Sequence, residues 1–237
     1  MKYAIIAAGN GSRLASEGIS IPKPLVSICG EPLIDRLIRI FMKNDAEDIS
    51  VICNKSQPQV ADHLSKIQED GLNGMSIPLH FIVKSTPSSM HSFRELCSRN
   101  LTEPFILTTV DTVFREDEFA EYVKAFETSN ADALMGVTAH VDDEMPLWVK
   151  IDKNNNVKGF YDESEECTLV SGGIYGLKPQ SIFTLHNCIA RGEKRMRSFQ
   201  RALIAEGQHV CAWQFSKVFD IDHIEDIWKA EEFLIGR

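Results

Sequence analysis

The sequence lacks the features that mark membrane-spanning, secreted and polyanion-binding proteins. No apolar run approaches the about 18 residues that a membrane helix needs, and the apolar run from Tyr3 to Ala8 is too short for a signal peptide. Lys and Arg total 25 against 34 Asp and Glu, a formal net charge of −9, which argues against nucleic-acid and anionic-lipid partners. We therefore expect a soluble, cytoplasmic protein with neither a nucleic-acid nor a membrane partner.

The six cysteines form no Cys-x-x-Cys pair and no Cys–His spacing typical of zinc ligands. Most of them lie in apolar stretches, so we expect buried, reduced thiols rather than a disulfide framework.

The first half of the chain alternates short apolar runs with amphipathic segments. Strands are predicted at residues 3–8, 49–53, 79–83 and 104–110, and helices at 31–44, 57–69, 89–98 and 116–129. Pro32 suits the first turn of the helix at 31–44. This alternation predicts a parallel sheet with helices on both faces.

The second half is richer in strands, which are predicted at 133–140, 148–152, 157–161, 169–177, 209–215 and 218–220. Asn154 to Asn156 favour a tight turn between two of these strands, and helices are predicted at 179–189, 196–205 and 224–235. With 237 residues, we expect α/β class: one Rossmann-like three-layer α/β/α domain over 1–237, with a mostly parallel mixed sheet and an antiparallel hairpin.

The most informative segment is the loop from Ala7 to Pro24. Gly9 and Gly11 follow a buried first strand, where glycine lets the backbone approach a ligand and expose N–H donors to phosphate oxygens. Arg13 offers a forked guanidinium and Lys23 a compact positive charge, both suited to phosphate. We therefore predict a phosphate-binding loop.

Two other phosphate loops do not fit this stretch. A Walker loop needs a Gly-Lys pair, which is absent, and a dinucleotide fingerprint needs a third glycine where Leu14 stands. A plain strand-to-helix turn remains the alternative, although Ser-Arg and the Pro-Lys-Pro at this spacing favour phosphate binding.

The loop resembles the signature of the sugar-phosphate nucleotidyltransferases (nucleoside-diphosphate-sugar pyrophosphorylases), which is G-x-G-[ST]-R-L followed after eight residues by P-K. The matching residues are Gly9, Gly11, Ser12, Arg13, Leu14, Pro22 and Lys23. Ser16 to Gly18 stand where the family usually has Pro-Leu-Thr, so the local shape of the loop is expected to differ.

The resemblance extends over most of the chain. Similar segments are Val110–Phe114 after the fourth strand, Pro146–Asp152 and Phe160 of the hairpin, Ser171–Tyr175 along the sugar-lining strand, and Phe219–Asp222 before the last helix.

The hairpin departs from the family at Asp162-Glu163, where Glu-Lys is usual. The lysine for the acceptor phosphate is therefore missing, and Lys150 or Arg195 is the candidate replacement, although the basic run 191–197 also fits a solvated helix start.

The resemblance implies an enzyme that joins an NTP and a sugar 1-phosphate to give an NDP-sugar and pyrophosphate, by Mg²⁺-dependent in-line attack on the α-phosphate. Residues up to about 130 would bind the nucleotide and the rest the acceptor. The implied catalytic cations are Arg13 and Lys23, the nucleotide contacts Ala8, Gly9, Gly11, Ser12, Ser88 and Ser89, and the acceptor contacts Lys150, Gly173 and Tyr175. Because a sugar phosphate is already ionised at neutral pH, no general base is required.

Carboxylates supply the expected Mg²⁺ ligands. Asp111 ends a parallel strand, at the edge where open α/β sheets bind ligands, and Asp220 and Asp222 share one face of an extended segment. Asp222 is the first choice as ligand and Asp220 the second. Each has a structural alternative: Asp111 as an acid near the following helix start, and one of the pair as a helix N-cap.

Several alternatives stay open. Ser88 or Ser89 fits a helix N-cap, His91 a surface histidine, and Gly173 close strand packing. A cytidylyltransferase acting on an alcohol phosphate such as phosphocholine would share the loop. A GT-A-like glycosyltransferase would need Asp-x-Asp, where Asp111 is followed by Thr112-Val113, and a nucleotide-sensing protein without catalysis is the non-enzyme alternative. The base, the acceptor and the oligomeric state are left open.

Overall fold

The computed structural model describes residues 1–98, 102–142, 144–164 and 166–236, and its central feature is a nine-stranded mixed sheet. The strands are β1 (Lys2–Ala7), β2 (Ser27–Ile28), β3 (Glu31–Pro32), β4 (Asp48–Cys53), β5 (Leu79–Val83), β6 (Phe105–Thr109), β7 (Thr112–Val113), β8 (Ala133–Thr138), β9 (Trp148–Ile151), β10 (Val157–Tyr161), β11 (Leu169–Leu177), β12 (Val210–Phe215) and β13 (Phe219–Asp220). The helices are α1 (Ser12–Ser16), α2 (Leu33–Lys43), α3 (Pro58–Asp70), α4 (Ser89–Cys97), α5 (Glu116–Thr128), α6 (Ser181–Ala190), α7 (Met196–Ala205) and α8 (Ile224–Ile235).

The sheet joins strands from both halves of the chain. β1 lies between β4 and β6, and β5 pairs with β4, all in parallel. β11 runs antiparallel to β6 and also pairs antiparallel with β8 and with β9. β12 then pairs in parallel with β8, and β10 pairs antiparallel with β9. Because β1, β4, β5 and β6 are parallel, the loops that follow them lie at one edge of the sheet, the edge at which such sheets bind ligands.

The sheet is covered by helices on both faces. Along β1, Tyr3 and Ile5 belong to one apolar core and Ala4 and Ile6 to the other, as the two-residue period of a strand requires. The first core contains residues of α2, α3, α5 and α8, and the second contains residues of α4, α6 and α7. The predicted three-layer α/β/α fold is confirmed.

The predicted hairpin is confirmed. β9 and β10 pair antiparallel, and Asn155 has φ +61°, the left-handed conformation that asparagine tolerates. The carboxylate of Asp152 closes the turn by accepting from the backbone N–H groups of Asn154 and Asn156.

The phosphate-loop region contains more regular structure than predicted. α1, a 3-10 turn at Lys23–Leu25 and the β2–β3 hairpin lie within residues 9–32, which the apolar pattern left as loop because their apolar runs are too short to show a period. Pro32 precedes α2 as its N-cap rather than standing in its first turn.

The cysteines are all free thiols, as predicted, but their burial is mixed. Cys53 and Cys188 are buried, whereas Cys29 is exposed. Within the described ranges, no helix is both long and apolar enough to cross a membrane.

Candidate active site

A two-chambered cleft opens at the carboxyl edge of the parallel strands. The first, which we call the glycine-loop chamber, is about 520 Å³ and is lined by the loop after β1, the turn after β6 and the loop between β5 and α4. The second, the helix-turn chamber, is about 590 Å³ and is lined by β11, the turn between α6 and α7, and the start of α7. Arg13, Ser88, Ser89, Thr109 and Asp222 line both chambers, so the two are continuous.

Gly11 shapes the glycine loop. Its φ is +62°, a conformation that favours glycine, and a Cβ there would lie 3.2 Å from the Cβ of Lys23, which would have to shift slightly. Leu14, which is 1% exposed, anchors α1 in the core. The predicted nucleotide contacts Ala8, Gly9, Gly11 and Ser12 all line the glycine-loop chamber.

Lys23 is the buried cation of the site. The 3-10 turn that it begins follows Pro22, and its Nζ donates to Asp111 Oδ2 at 2.8 Å and to Asp222 Oδ1 at 2.6 Å. Burial on its own lowers the pKa of a lysine, but the charges and hydrogen bonds of the two carboxylates outweigh it and raise the pKa of Lys23. The side chain is therefore a fixed positive charge at neutral pH.

A small second sheet brings the two carboxylates together from distant parts of the chain. β7 and β13 pair antiparallel, with Phe219 opposite Val113, and the N–H of Ile221 donates to the backbone oxygen of Asp111 at 3.1 Å. Asp222 also accepts from Arg13 Nη1. Burial acts to raise the pKa of Asp222, but Lys23 and Arg13 lower it, so the carboxylate is ionised.

Asp220 and Asp222 have different surroundings. Asp220 lines the helix-turn chamber but not the glycine-loop chamber, whereas Asp222 lines both. The N-cap of α8 is His223, and Asp226 in the first turn accepts through Oδ2 from the N–H groups of Asp222 and His223. Neither of the two predicted ligands is therefore the N-cap, and Asp222 shares the Lys23 ammonium with Asp111.

Ser88 and Ser89 lie where the two chambers meet, and Ser88 is also a helix cap. Its hydroxyl oxygen is 2.9 Å from His91 Nδ1, and it accepts from the N–H of His91 at 3.5 Å. The capping alternative is thus confirmed for Ser88, together with its position on the cleft.

Gly173 and Tyr175 form the β11 wall of the helix-turn chamber. Gly173 has φ +70° at an irregularity in the β11–β8 pairing, and a Cβ there would lie 3.1 Å from Thr112 Oγ1. Burial and then the charge of Asp220 raise the pKa of Tyr175, so its hydroxyl stays protonated at neutral pH.

The two candidates for the missing acceptor lysine are separated. Lys150 is exposed on β9 and lines neither chamber, whereas Arg195 lines the helix-turn chamber beside Lys194. Across the described ranges of the chain, neither Lys194 nor Arg195 forms an ion pair. Asp162, which stands where a Glu-Lys pair is usual, instead binds Arg197 and Arg201 of α7.

Three residues near the cleft were not predicted from the sequence: Asn54, Thr109 and Gln200. Asn54 is buried directly after β4, the hydroxyl of Thr109 lies 2.7 Å from that of Thr112, and the buried Gln200 accepts from the hydroxyl of Ser171 at 3.0 Å. The position of Asn54, a polar residue directly after a buried strand at the ligand-binding edge, is the one signal that could have identified any of them.

The fold and this site define an α/β enzyme of the class that transfers nucleotidyl groups: a glycine loop, a buried lysine and two carboxylates converge where two ligands can meet. The family model described as nucleotidyl transferase matches residues 2–236. The chain therefore belongs to the nucleotidyl transferase family, and the resemblance predicted from its motifs is confirmed.

Named relatives support the same class. Mannose-1-phosphate guanyltransferase 2 of Candida glabrata is 26% identical over 191 residues, which cover 77% of this chain and 51% of that protein. Glucose-1-phosphate cytidylyltransferase of Salmonella typhimurium is 22% identical over 259 residues, covering 97% of this chain and 96% of the relative. The chain thus spans about half the length of the first relative and nearly all of the second.

A solved structure shows the same fold. A Bacillus anthracis protein described as a glucose-1-phosphate thymidylyltransferase superposes with a TM-score of 0.83 at 20% identity, covering 100% of this chain and 96% of that chain.

Proposed function

We propose that this protein joins an NTP and a sugar 1-phosphate to form an NDP-sugar and pyrophosphate. The observation that carries the proposal is the Lys23 ammonium held between Asp111 and Asp222 beneath the glycine loop, next to a second, connected chamber. The family relationship and the sugar-1-phosphate substrates in the names of the relatives support the same reaction. An NTP substrate also fits the cytoplasmic location expected from the sequence.

The two cations are assigned to different phosphates. Lys23, deep in the chamber, would contact the α-phosphate, and Arg13, which is half exposed at the chamber mouth, the β- and γ-phosphates. Both are paired with Asp222 in this structure, so phosphate oxygens would replace carboxylate oxygens as their partners. Preorganised positive charge of this kind stabilises the charge that develops on the transferring phosphoryl group.

The carboxylates fit a magnesium ion of the kind that accompanies NTP substrates. Asp111 and Asp222 each place an oxygen within 3 Å of one cationic nitrogen, that of Lys23, and this convergence supports a shared cation site. No group of three or more potential metal-ligating side chains occurs among the residues described, and Mg²⁺ in such sites typically takes one or two carboxylates plus substrate phosphates. When bound, Mg²⁺ would offset charge on the α-phosphate and the leaving pyrophosphate.

The acceptor would occupy the helix-turn chamber. A sugar 1-phosphate needs positive charge for its phosphate, and Arg195 with Lys194 supplies it there, while Gly173 leaves room for a ring against β11. The protonated Tyr175 hydroxyl would be a donor to a sugar oxygen. An alcohol phosphate remains the second candidate acceptor, because the Glu-Lys pair usual in sugar-specific relatives is replaced by Asp162-Glu163.

The test is a matrix of the common NTPs against sugar 1-phosphates and alcohol phosphates, with Mg²⁺ and pyrophosphate release as the readout. We expect turnover with at least one sugar 1-phosphate. Turnover with alcohol phosphates alone would establish the second candidate, and consumption of a finished nucleotide-sugar without NTP formation from pyrophosphate would indicate a glycosyltransferase. NTP binding without any pyrophosphate release would indicate a nucleotide sensor.

The residue roles have their own test in the same assay. Lys23→Ala and Asp111→Asn are each expected to lower kcat by about 100-fold or more. Lys43→Ala, at an exposed lysine of α2, is expected to leave kcat unchanged. Arg195→Ala is expected to raise the acceptor KM about tenfold, and Lys150→Ala to leave it unchanged. Near-normal turnover of both Lys23→Ala and Asp111→Asn with every accepted NTP would show that the roles are wrong.

A further inference from the structure

Asn54 is a buried polar hub that the proposed reaction does not explain. It directly follows β4, is 4% exposed, and lies at the edge of the sheet where the glycine-loop chamber opens. Its amide takes part in five hydrogen bonds, two through Nδ2 and three through Oδ1. Buried side chains with this many partners are held in a single orientation.

On its donor side, Asn54 holds the glycine loop. Nδ2 donates to the backbone oxygen of Ala8 at 3.0 Å and to Asn10 Oδ1 at 2.9 Å. Gln57 adds a bond from Nε2 to the backbone oxygen of Asn10 at 3.2 Å. The two residues bracketing Gly9 are therefore fixed from the β4 end.

On its acceptor side, Asn54 holds the loop between β5 and α4. Oδ1 accepts from Ser85 Oγ at 2.7 Å, one residue before the stretch Thr86–Ser89 that lines the glycine-loop chamber. The same oxygen accepts from the N–H and the hydroxyl of Ser56 at 3.0 and 2.9 Å.

The orientation of the amide is determined by its backbone partners. The oxygen of Ala8 can only accept and the N–H of Ser56 can only donate, so exchanging the amide N and O would oppose like groups at both ends. Among side chains of this size, asparagine alone presents donors to one loop and an acceptor to the other, because a carboxylate offers only acceptors when ionised.

We infer that Asn54 is a positioning residue that sets the spacing between the glycine loop and the β5–α4 loop, and thereby NTP affinity and the discrimination between bases. The inference rests on the proposed NTP site in the glycine-loop chamber. The glycine loop carries the phosphate contacts, and Ser88 and Ser89 of the second loop are predicted nucleotide contacts. Ser88 and Ser89 also border the helix-turn chamber, but Lys194 and Arg195, the proposed contacts of the acceptor phosphate, lie outside both loops, so a change in loop spacing acts chiefly on the nucleotide.

Three variants separate this role from simple stabilisation. Asn54→Asp keeps size and the acceptor oxygen but places a carboxylate oxygen against Ala8 and Asn10. Ser85→Ala removes one bond to Oδ1 and releases only the β5–α4 loop. The matched control is Ser56→Ala, which removes a hydrogen bond of nearly equal length to the same oxygen. Ser56 is exposed and lines neither chamber.

The measurements are NTP dissociation constants and both KM values, with wild type assayed first. We expect Asn54→Asp to raise the Kd and KM for NTP at least tenfold while the acceptor KM stays within twofold. Ser85→Ala should change the ratio of kcat/KM between two NTPs at least threefold, and Ser56→Ala should leave that ratio and the NTP KM unchanged. A purely structural role would lower the active fraction, and hence apparent kcat, without moving either KM.

The outcomes distinguish this inference from the proposed function. If the wild type neither binds NTP nor releases pyrophosphate, the proposed function fails, and the inference with it. If the wild type is active but Asn54→Asp has an NTP KM within twofold of it, or Ser85→Ala and Ser56→Ala behave alike, the positioning role is overturned while the function stands.

Discussion

Replacing Lys23 by methionine tests whether this lysine is the internal counter-cation of the site. Lys23→Met shortens the unbranched side chain by one atom and removes its charge. The ammonium nitrogen lies within 3 Å of both Asp111 and Asp222, so the variant leaves two carboxylates facing each other with no cation between them. We expect the variant to be less stable than the wild type and to bind Mg²⁺ without any nucleotide.

The magnitude follows from the burial of the three groups. The side chain of Lys23 is 10% exposed, and those of Asp111 and Asp222 are 23% and 32% exposed. Removing one partner of a buried ion pair costs about 3–5 kcal/mol, and the partial exposure of the carboxylates places this case at the lower end, about 3 kcal/mol. For a chain of this size that corresponds to a fall in Tm of about 6–12 °C.

Magnesium should restore much of that loss. A ligand that binds only the folded state adds about 2.7 kcal/mol at 100 times its dissociation constant. In the wild type, Lys23 already neutralises the carboxylates, so Mg²⁺ alone should shift its Tm little. The assay is thermal unfolding of both proteins with and without Mg²⁺, and calcium serves as a second hard cation.

The matched control is Lys43→Met. Lys43 pairs with Glu116 but is 59% exposed, and an exposed pair is worth at most about 1 kcal/mol. Lys23→Met with wild-type stability, or destabilised but unresponsive to Mg²⁺, would refute the reasoning. In the first case the ammonium would not balance the carboxylates, and in the second the carboxylates would not form a cation site.

Two further predictions concern stability and acceptor binding. Burial alone would raise the pKa of Glu116 above its ordinary 4.5, but hydrogen bonds from Arg39 and Lys43 lower it to about 2. The ionised carboxylate of Glu116 therefore stabilises the folded protein fully above pH 4.5, and this stabilisation is lost as pH falls towards 2. In urea titrations, the difference in unfolding free energy between wild type and Glu116→Gln should shrink over that range. Gly173→Ala should lower the free energy of unfolding by about 1–3 kcal/mol, because alanine is strained at this positive φ. It should also raise the acceptor KM, since its Cβ would crowd Thr112 beside the helix-turn chamber. The control Gly207→Ala, with similar φ but open space around it, should lower stability without changing that KM.

The fold was predictable because its signals are local. Each parallel strand is a short apolar run and each covering helix an amphipathic one, so residues such as Tyr3 and Ile5 alternate with Ala4 and Ile6 between two cores. The glycine loop was predictable for the same reason, since its glycines and cations lie within one segment.

Contacts between distant segments were not predictable in this way. Asp111 meets Asp222 only because β7 pairs with β13, and two-residue strands carry no periodic pattern. Asp220 and Asp222 look equivalent along an extended segment, but Asp220 lies in β13 opposite Thr112, whereas Asp222 bonds to Lys23 and Arg13. The buried orientation of Asn54 likewise depends on partners in three separate loops.

The departure from the family pattern at Ser16 to Gly18 has a structural counterpart in the same cleft wall. Glu17 accepts from the N–H of Ile224 at 2.8 Å and contacts the ring of His223. These bonds tie the end of α1, which carries Arg13, to His223 and the start of α8, the residues that come immediately after Asp222. A polar contact therefore joins the two segments that carry Arg13 and Asp222, and Arg13 bonds to Asp222 although the usual Pro-Leu-Thr is missing from the loop.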